Sequence, residues 1–334
     1  ARCGHARRPR MQSPHAGVDG LEALVAALAN GDQRACARLI SRIERGEPDL
    51  VPLLQALYRA GGRGRVIGVT GPPGAGKSTL IGQLIGAWRR RDLSVAVLAV
   101  DPSSPISGGA LLGDRLRMAG EGLDDKVFIR SMASRGHLGG LAKAAGDALT
   151  VLDAMPWDRI LVETVGVGQN ETDVMLHAQV IVLLQTPMGG DDIQAAKAGI
   201  NEISDIFVVN KSDHPDADRA VRQLRDMVEL SRRLGLFHDW QPPVLKTQAQ
   251  SGDGIDALVD GIERCFLHFA GAPDAADRRL RRRLQLRVGE ILRQLIDERF
   301  RGINGTSWDG LIDAVRNRAS DPYALAQSLL ARLQ

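Results

Sequence analysis

The chain has 334 residues, of which 44% are hydrophobic and 25% are charged, as in globular proteins of one large or two ordinary domains. A formal net charge of +3 is too small to favour nucleic acid or a membrane surface as the main partner. The three cysteines, Cys3, Cys36 and Cys265, are widely separated. This spacing predicts neither a disulfide framework nor a cysteine metal site, and we expect a reducing, cytoplasmic environment.

The first 62 residues divide into two parts. Residues 1–17 are basic, rich in turn residues and without apolar periodicity, so we expect a disordered leader or tag. Residues 18–62 carry apolar side chains at helical spacing, for example Leu21, Leu24, Val25 and Leu28. This pattern predicts an N-terminal helical region and favours its packing on the domain that follows over packing on a partner.

Residues 71–79 read GPPGAGKST and match the phosphate-loop pattern G-x-x-x-x-G-K-[ST]. An apolar β-branched run over 65–70 precedes them, and a helical apolar pattern follows. A strand, a glycine loop and a helix in this order direct backbone N–H groups and a helix N-terminus at one point, where a phosphate can bind. We expect Lys77 to reach the β- and γ-phosphates and Ser78 to bind Mg²⁺. The predicted nucleotide-binding residues of this loop are Gly71, Pro72, Pro73, Gly74, Ala75, Gly76, Lys77, Ser78 and Thr79.

Two later apolar runs end in an acidic residue, Asp101 after 94–100 and Glu163 after 159–162. Ligands of open parallel sheets bind beyond the carboxyl ends of the strands, so both acids are expected at the phosphate loop. Asp101 is interpreted either as a helix or turn cap or as a Mg²⁺ or water-positioning ligand, with Asp114 as its companion.

Gly166 follows Glu163 by three residues, the spacing with which GTPases sense the γ-phosphate. Val167 occupies the position directly after the glycine, where many GTPases place the glutamine that orients water. Gln169 is only a distant substitute. The sequence therefore predicts slow intrinsic hydrolysis that a partner accelerates.

A further apolar run, 206–209, is followed by the sequence NKSD, which comprises Asn210, Lys211, Ser212 and Asp213. A carboxylate at Asp213 can accept both N1–H and the exocyclic amine of guanine, whereas adenine offers an acceptor at N1. Asn210 is expected to tie loops together and bond guanine N7, and the Lys211 stem to lie over the base. The predicted base is guanine.

Strands and helices alternate over 63–272, which predicts an α/β fold with a mostly parallel central sheet covered by helices on both faces, the P-loop NTPase fold. The last strand is followed by a loop expected to close over the base, formed by Thr247, Gln248 and Ala249. Residues 273–334 are predicted to be helical, with a long amphipathic helix over 274–300. By its pattern alone, that helix is interpreted as packing on its own domain with a solvated basic face.

Several of these motifs together resemble the MeaB/ArgK family of SIMIBI-class GTPases, which includes the methylmalonic aciduria type A protein. They are GPPGAGKST, DPSSPISGGALLGDRLRM (101–118), VETVGVGQNE (162–171), GGDDIQAAKAGI (189–200) and NKSD, and the resemblance covers about residues 20–334. It implies a GTPase, with GTP/GDP and Mg²⁺ as cofactors, that gates adenosylcobalamin delivery to methylmalonyl-CoA mutase, or a related acyl-CoA mutase, and protects that enzyme.

The resemblance also implies residue roles. Lys77 and Ser78 serve phosphate and Mg²⁺, and Asp101, Asp114 and Glu163 surround the metal and the attacking water, with Ser78, Asp101 and Glu163 as metal ligands. Residues 189–200 correspond to a third switch that contacts the mutase, and 273–334 to a dimerisation region, which implies a homodimer. Asn170 departs from the family, where serine is commoner.

Two functions of other kinds fit the sequence less well. A nickel-insertion metallochaperone GTPase would need a Cys/His metal cluster, against which the scattered cysteines argue. A small-molecule kinase would prefer adenine, against which the NKSD sequence argues. Neither nucleic acid nor a membrane is expected as a partner.

Overall fold

The fold is taken from a computed structural model, which describes residues 16–62, 64–102, 124–134, 140–164, 175, 177–187, 203–235, 239–302 and 308–331. The chain divides into two compact units, residues 1–276 and 277–334. In the first unit the helices described are α1 (Ala16–Ala29), α2 (Gln33–Glu44), α3 (Val51–Ala60), α4 (Lys77–Arg90), α5 (Gly140–Asp153), α6 (Ala217–Arg233) and α7 (Ile255–Ala270). A 3₁₀ turn, Pro48–Leu50, leads into α3.

Within the described ranges, seven strands form one sheet in which every neighbouring pair is parallel, in the order β3-β2-β4-β1-β5-β6-β7. The strands are β1 (Arg65–Thr70), β2 (Val95–Pro102), β3 (Val127–Ser134), β4 (Arg159–Thr164), β5 (Val180–Gln185), β6 (Ile206–Val209) and β7 (Val244–Lys246). The predicted α/β fold with a parallel central sheet is confirmed. β3 pairs with β2 over its whole length.

Each central strand contributes alternate residues to two apolar layers, which explains why its sequence is apolar throughout. In β1, Ile67 and Val69 face the layer that contains α4 and α7, while Val66 faces the layer that contains α2, α3 and α5. All six residues of β4 and of β5 are buried. Because all strands run the same way, their carboxyl ends meet at one edge of the sheet, and this edge carries the candidate site.

The N-terminal helices pack on the same domain, as the sequence analysis favoured. Arg130 of β3 donates from Nη2 to Ser41 Oγ at 2.9 Å and to Glu44 Oε2 at 2.5 Å, both in α2. The Asp153 carboxylate at the end of α5 accepts the backbone N–H groups of Gly62, at 2.6 Å, and Gly64, at 2.8 Å. The segment between α3 and β1 is therefore held at both ends.

The helix α8 (Pro273–Gly302) is followed in the second unit by α9 (Trp308–Arg316) and α10 (Pro322–Ala331). α8 agrees with the helix predicted over 274–300, and α9 and α10 lie within the region 273–334 that was predicted to be helical. No helix in the described ranges is long and apolar enough to cross a membrane. Along α8, five large apolar side chains are exposed at intervals of three or four residues: Leu280, Leu284, Val288, Leu292 and Leu295.

Candidate functional site

The loop between β1 and α4 is held by close backbone contacts that only glycine permits. A Cβ on Gly71, which has φ +151°, would lie 2.4 Å from the carbonyl oxygen of Leu184 in β5. A Cβ on Gly76, which has φ +92°, would lie 2.5 Å from Asn210 Nδ2. The loop is thus pressed against β5 on one side and against the end of β6 on the other.

Lys77 lies at the first position of α4 and is only 6% exposed. Its ammonium group donates to the carbonyl oxygens of Gly71, at 2.9 Å, and Pro72, at 3.1 Å. A buried ammonium requires oxygen partners, and these carbonyls hold it at the mouth of the loop next to the N-terminus of a helix. Pro73, Gly74 and Thr79 are exposed, while Ala75 is buried. The geometry suits an oxyanion such as a phosphate, which can offer the lysine stronger acceptors than carbonyl groups.

Ser78 and Glu163 meet at this loop. The Ser78 hydroxyl donates to Glu163 Oε1 at 2.8 Å, and Glu163 is 2% exposed. Asp101 lies in β2 two residues beyond Ala99, the register partner of Glu163, and the description of Asp101 is limited to its backbone. A hydroxyl and a carboxylate side by side are the oxygen ligands that Mg²⁺ takes, so Ser78 and Glu163 fit that ion.

Asn210, directly after β6, joins the phosphate loop to the loop after β7. It is 2% exposed and donates from Nδ2 to the carbonyl oxygen of Ala75 at 2.7 Å. Its Oδ1 accepts from Thr247 Oγ1 at 3.1 Å and from the Ala249 N–H at 3.0 Å. One side chain therefore fixes the separation between two loops that a nucleotide would contact at its phosphate and base ends.

Two other residues of the NKSD sequence are open to solvent beside this clamp. Lys211 and Asp213 are both exposed, and Lys211 has φ +58°, a conformation uncommon for residues other than glycine. Gln248 is half-buried, and its N–H donates to the Asp253 carbonyl oxygen at 2.9 Å, which shapes the loop after β7. Exposed lysine and aspartate side chains next to this clamp can contact a base that binds there.

The remaining predicted residues lie outside the described ranges. They are Asp114, Gly166, Val167, Gln169 and the third-switch segment 189–200. Among the residues that are described, the structure brings Ser78 and Glu163 together beside Lys77 in one group, and Asn210, Thr247 and Ala249 together in another that is bonded to Ala75.

The sequence analysis assigned no role to three buried polar residues that end strands at this edge. Thr70 ends β1, Thr164 ends β4 and Gln185 ends β5, and each is at most 1% exposed. Thr164 Oγ1 donates to Thr70 Oγ1 at 3.2 Å. A polar residue at the carboxyl end of an apolar strand was the signal that identified Glu163, and it could have identified these residues as well.

Comparison with protein families relates the chain to one of them. The family model described as methylmalonyl Co-A mutase-associated GTPase MeaB matches residues 36–304. A Pyrococcus horikoshii protein provisionally named a GTPase is 42% identical over 315 residues, which cover 94% of this chain and 98% of that protein. The GTPase ArgK of Escherichia coli is 36% identical over 278 residues, covering 81% of this chain and 82% of its own.

Two further similarities are informative. The mitochondrial methylmalonic aciduria type A homolog of Mus musculus is 41% identical over 209 residues, 60% of this chain and 49% of that protein. Among solved structures, one described as an LAO/AO transport system kinase superposes with a TM-score of 0.69 at 27% identity. The superposition covers 95% of this chain and 99% of the chain in that structure.

Proposed function

Because the chain belongs to the MeaB family of methylmalonyl-CoA mutase-associated GTPases, we propose that it hydrolyses GTP in order to serve a cobalamin-dependent acyl-CoA mutase. In this role it gates adenosylcobalamin delivery to a methylmalonyl-CoA mutase, or a related acyl-CoA mutase, and protects that enzyme. The observation that carries the GTPase part is the Asn210 clamp, which ties the phosphate loop to the loop after β7. The mutase part is supported by the family description and by the type A homolog among the relatives.

In the proposed site, Lys77 exchanges its two carbonyl partners for phosphate oxygens, and the N–H groups of the loop and of α4 bind the same anion. Ser78, Glu163 and Asp101 hold Mg²⁺, which when bound neutralises charge on the phosphates. Asp114 helps to organise water, and Gly166 bonds the γ-phosphate. These roles rest on the residues' positions in the motifs and, for Ser78 and Glu163, on their 2.8 Å contact.

At the other end, Asp213 and Lys211 contact guanine, Asn210 bonds its N7, and the loop Thr247–Ala249 closes over it. An Asp213→Asn variant tests this assignment, because the amide presents a donor where guanine also presents one. We expect a loss of GTP affinity with a gain for xanthosine triphosphate, whose base offers the matching acceptor. Equal GTP affinity in the variant would contradict guanine recognition by Asp213.

The proposed assembly is a homodimer formed through the second unit. The exposed apolar stripe of α8 is the support, since a helix that keeps such a face in water gains free energy by covering it. Val288, which is 62% exposed, is the test position. We expect Val288→Glu to shift the mass measured by light scattering from dimer towards monomer. A wild-type protein that is monomeric at micromolar concentration would contradict the proposal.

The decisive measurement is the GTP hydrolysis rate of the purified protein, alone and with a cobalamin-dependent acyl-CoA mutase. A slow basal rate that rises several-fold with the mutase, without comparable ATP turnover, supports the proposal. A Lys77→Ala variant serves as the control for contaminating GTPases. Fast unassisted turnover, or indifference to every such mutase, would contradict it and favour a metal-insertion GTPase.

A further inference from the structure

The backbone ladder between β1 and β4 ends one residue before the two strands do. Its last registered pair is Val69 with Glu163. At the next position, the two strands are joined by a side-chain hydrogen bond, in which Thr164 Oγ1 donates to Thr70 Oγ1 at 3.2 Å. Thr70 is 0% exposed and Thr164 is 1% exposed. A side-chain hydrogen bond therefore continues the coupling between the strands where the ladder ends.

The register partners of this pair on the flanking strands are apolar. Across the sheet, Thr164 is in register with Val100 of β2, and Thr70 is in register with Leu183 of β5. Valine has the shape of threonine and would pack in the same layer without a polar group to satisfy. A hydroxyl pair buried in an apolar row costs free energy unless the two hydroxyls hydrogen-bond to each other. That bond forms only in one relative position of the two strand ends, so it holds them in that position.

Each threonine is the chain neighbour of a residue at the phosphate site. Thr70 precedes Gly71, the glycine pressed against the Leu184 carbonyl group. Thr164 follows Glu163, whose carboxylate accepts from Ser78 at 2.8 Å. Since successive residues of a strand face opposite sides of the sheet, the hydroxyl pair lies on the face opposite to Ser78 and Glu163. Any shift of the end of β4 against β1 would move Glu163 relative to the phosphate loop.

We propose that Thr70 and Thr164 are positioning residues that fix the Glu163 carboxylate against the phosphate loop, and so set how strongly Mg²⁺ and nucleotide binding reinforce each other. Neither residue touches nucleotide or metal, and both act through their neighbours Gly71 and Glu163. The inference rests on the proposed function, in particular on Ser78 and Glu163 as ligands of Mg²⁺.

The test measures the affinity of the protein for a fluorescent GDP analogue in Mg²⁺ and in EDTA. The quantity compared between variants is the ratio of the affinity in Mg²⁺ to the affinity in EDTA. The variants are Thr164→Val, the double variant Thr70→Val/Thr164→Val, and the conservative Thr164→Ser. We expect Thr164→Val to lower the ratio roughly two- to tenfold, the span of one hydrogen bond, while Thr164→Ser keeps it near the wild-type value. Thr150→Val is the matched control, because it removes a threonine hydrogen bond to Gly146 within α5 and should leave the ratio unchanged.

The double variant separates positioning from stability. Replacing both hydroxyls with methyl groups removes the pair without leaving the Thr70 hydroxyl against a methyl group, so urea unfolding should show a smaller loss of stability than in Thr164→Val. We expect the Mg²⁺ ratio to stay low in this variant. A wild-type ratio together with wild-type stability would overturn the inference and leave the proposed function intact. A wild-type protein that binds no GDP, or binds it equally in EDTA, would overturn both.

Discussion

Asn210→Ala is the substitution whose effect on the nucleotide-free protein follows most directly from the structure. The side chain is 2% exposed and makes three hydrogen bonds, to the Ala75 carbonyl oxygen, the Thr247 hydroxyl and the Ala249 N–H. Truncation of the asparagine side chain removes the hydrogen-bond partner of these three buried groups. A buried group left unsatisfied costs about 1–3 kcal/mol. Because the threonine hydroxyl can rotate towards another acceptor, we expect a loss of about 3–5 kcal/mol in the free energy of unfolding.

The assay is equilibrium unfolding in urea, followed by tryptophan fluorescence, of the nucleotide-free protein. Asn30→Ala is the matched control, since Asn30 is exposed and its truncation should change stability by less than about 0.5 kcal/mol. If Asn210→Ala unfolds within about 1 kcal/mol of the wild type, the side chain does not hold the two loops together and the reasoning fails.

The Asn210→Asp variant should lose stability to an extent that depends on pH. The carboxylate keeps an acceptor for Thr247 and Ala249 but places an oxygen where Nδ2 donates to the Ala75 carbonyl oxygen. Repulsion and burial raise the pKa of the new carboxyl in the folded state, so the folded variant binds a proton more readily than the unfolded chain. The deficit relative to wild type should therefore shrink as the pH falls from 7 towards 4. A deficit that does not change with pH would contradict this account.

Three further predictions concern other parts of the first unit. Glu263→Ala should destabilise the protein by about 2–3 kcal/mol in urea unfolding, because Glu263 bonds the neighbouring guanidinium groups of Arg159, at 2.7 Å, and Arg65, at 2.5 Å. Gly71→Ala should abolish binding of fluorescent GDP, because its Cβ would lie 2.4 Å from a backbone oxygen of β5. Cys36 should resist iodoacetamide at pH 8 until the protein unfolds, because burial raises the pKa of its thiol to about 12 and the thiolate is the nucleophile.

Controls are available in the same chain. Glu263→Gln keeps an acceptor for the two arginines and should lose less stability than the alanine variant. Gly86→Ala lies in α4 with 3.6 Å to the nearest side-chain atom, Arg90 Nη1, and should bind GDP normally. Peptide mapping by mass spectrometry identifies Cys36 separately from the other cysteines. Labelling of Cys36 in the folded protein would contradict the thiol prediction. Equal GDP binding by both glycine variants would contradict the prediction for Gly71, and wild-type stability of Glu263→Ala would contradict the one for Glu263.

Local patterns were sufficient to predict the α/β fold and many of the residues of the candidate site. β4 and β5 are buried at every position, so their apolar runs identify strands within a covered parallel sheet. The polar residues Glu163 and Asn210 stand out because each follows or ends such a run. The exact bounds of β3 and of the helices within 273–334 were not predicted, because they depend on neighbouring elements rather than on a periodic pattern of their own.

The sequence by itself determined which side chains are available at the carboxyl edge of the sheet, because strand ends, glycines and caps are encoded in a few adjacent residues. Only the tertiary structure decided which of them meet. Ser78 and Glu163 are 85 residues apart and Asn210 and Ala75 are 135 apart, yet both pairs are hydrogen-bonded. Thr70 contacts Thr164 because β1 lies beside β4 in a defined register. Strand order and register arise from the cooperative packing of distant segments, and no local periodicity specifies them.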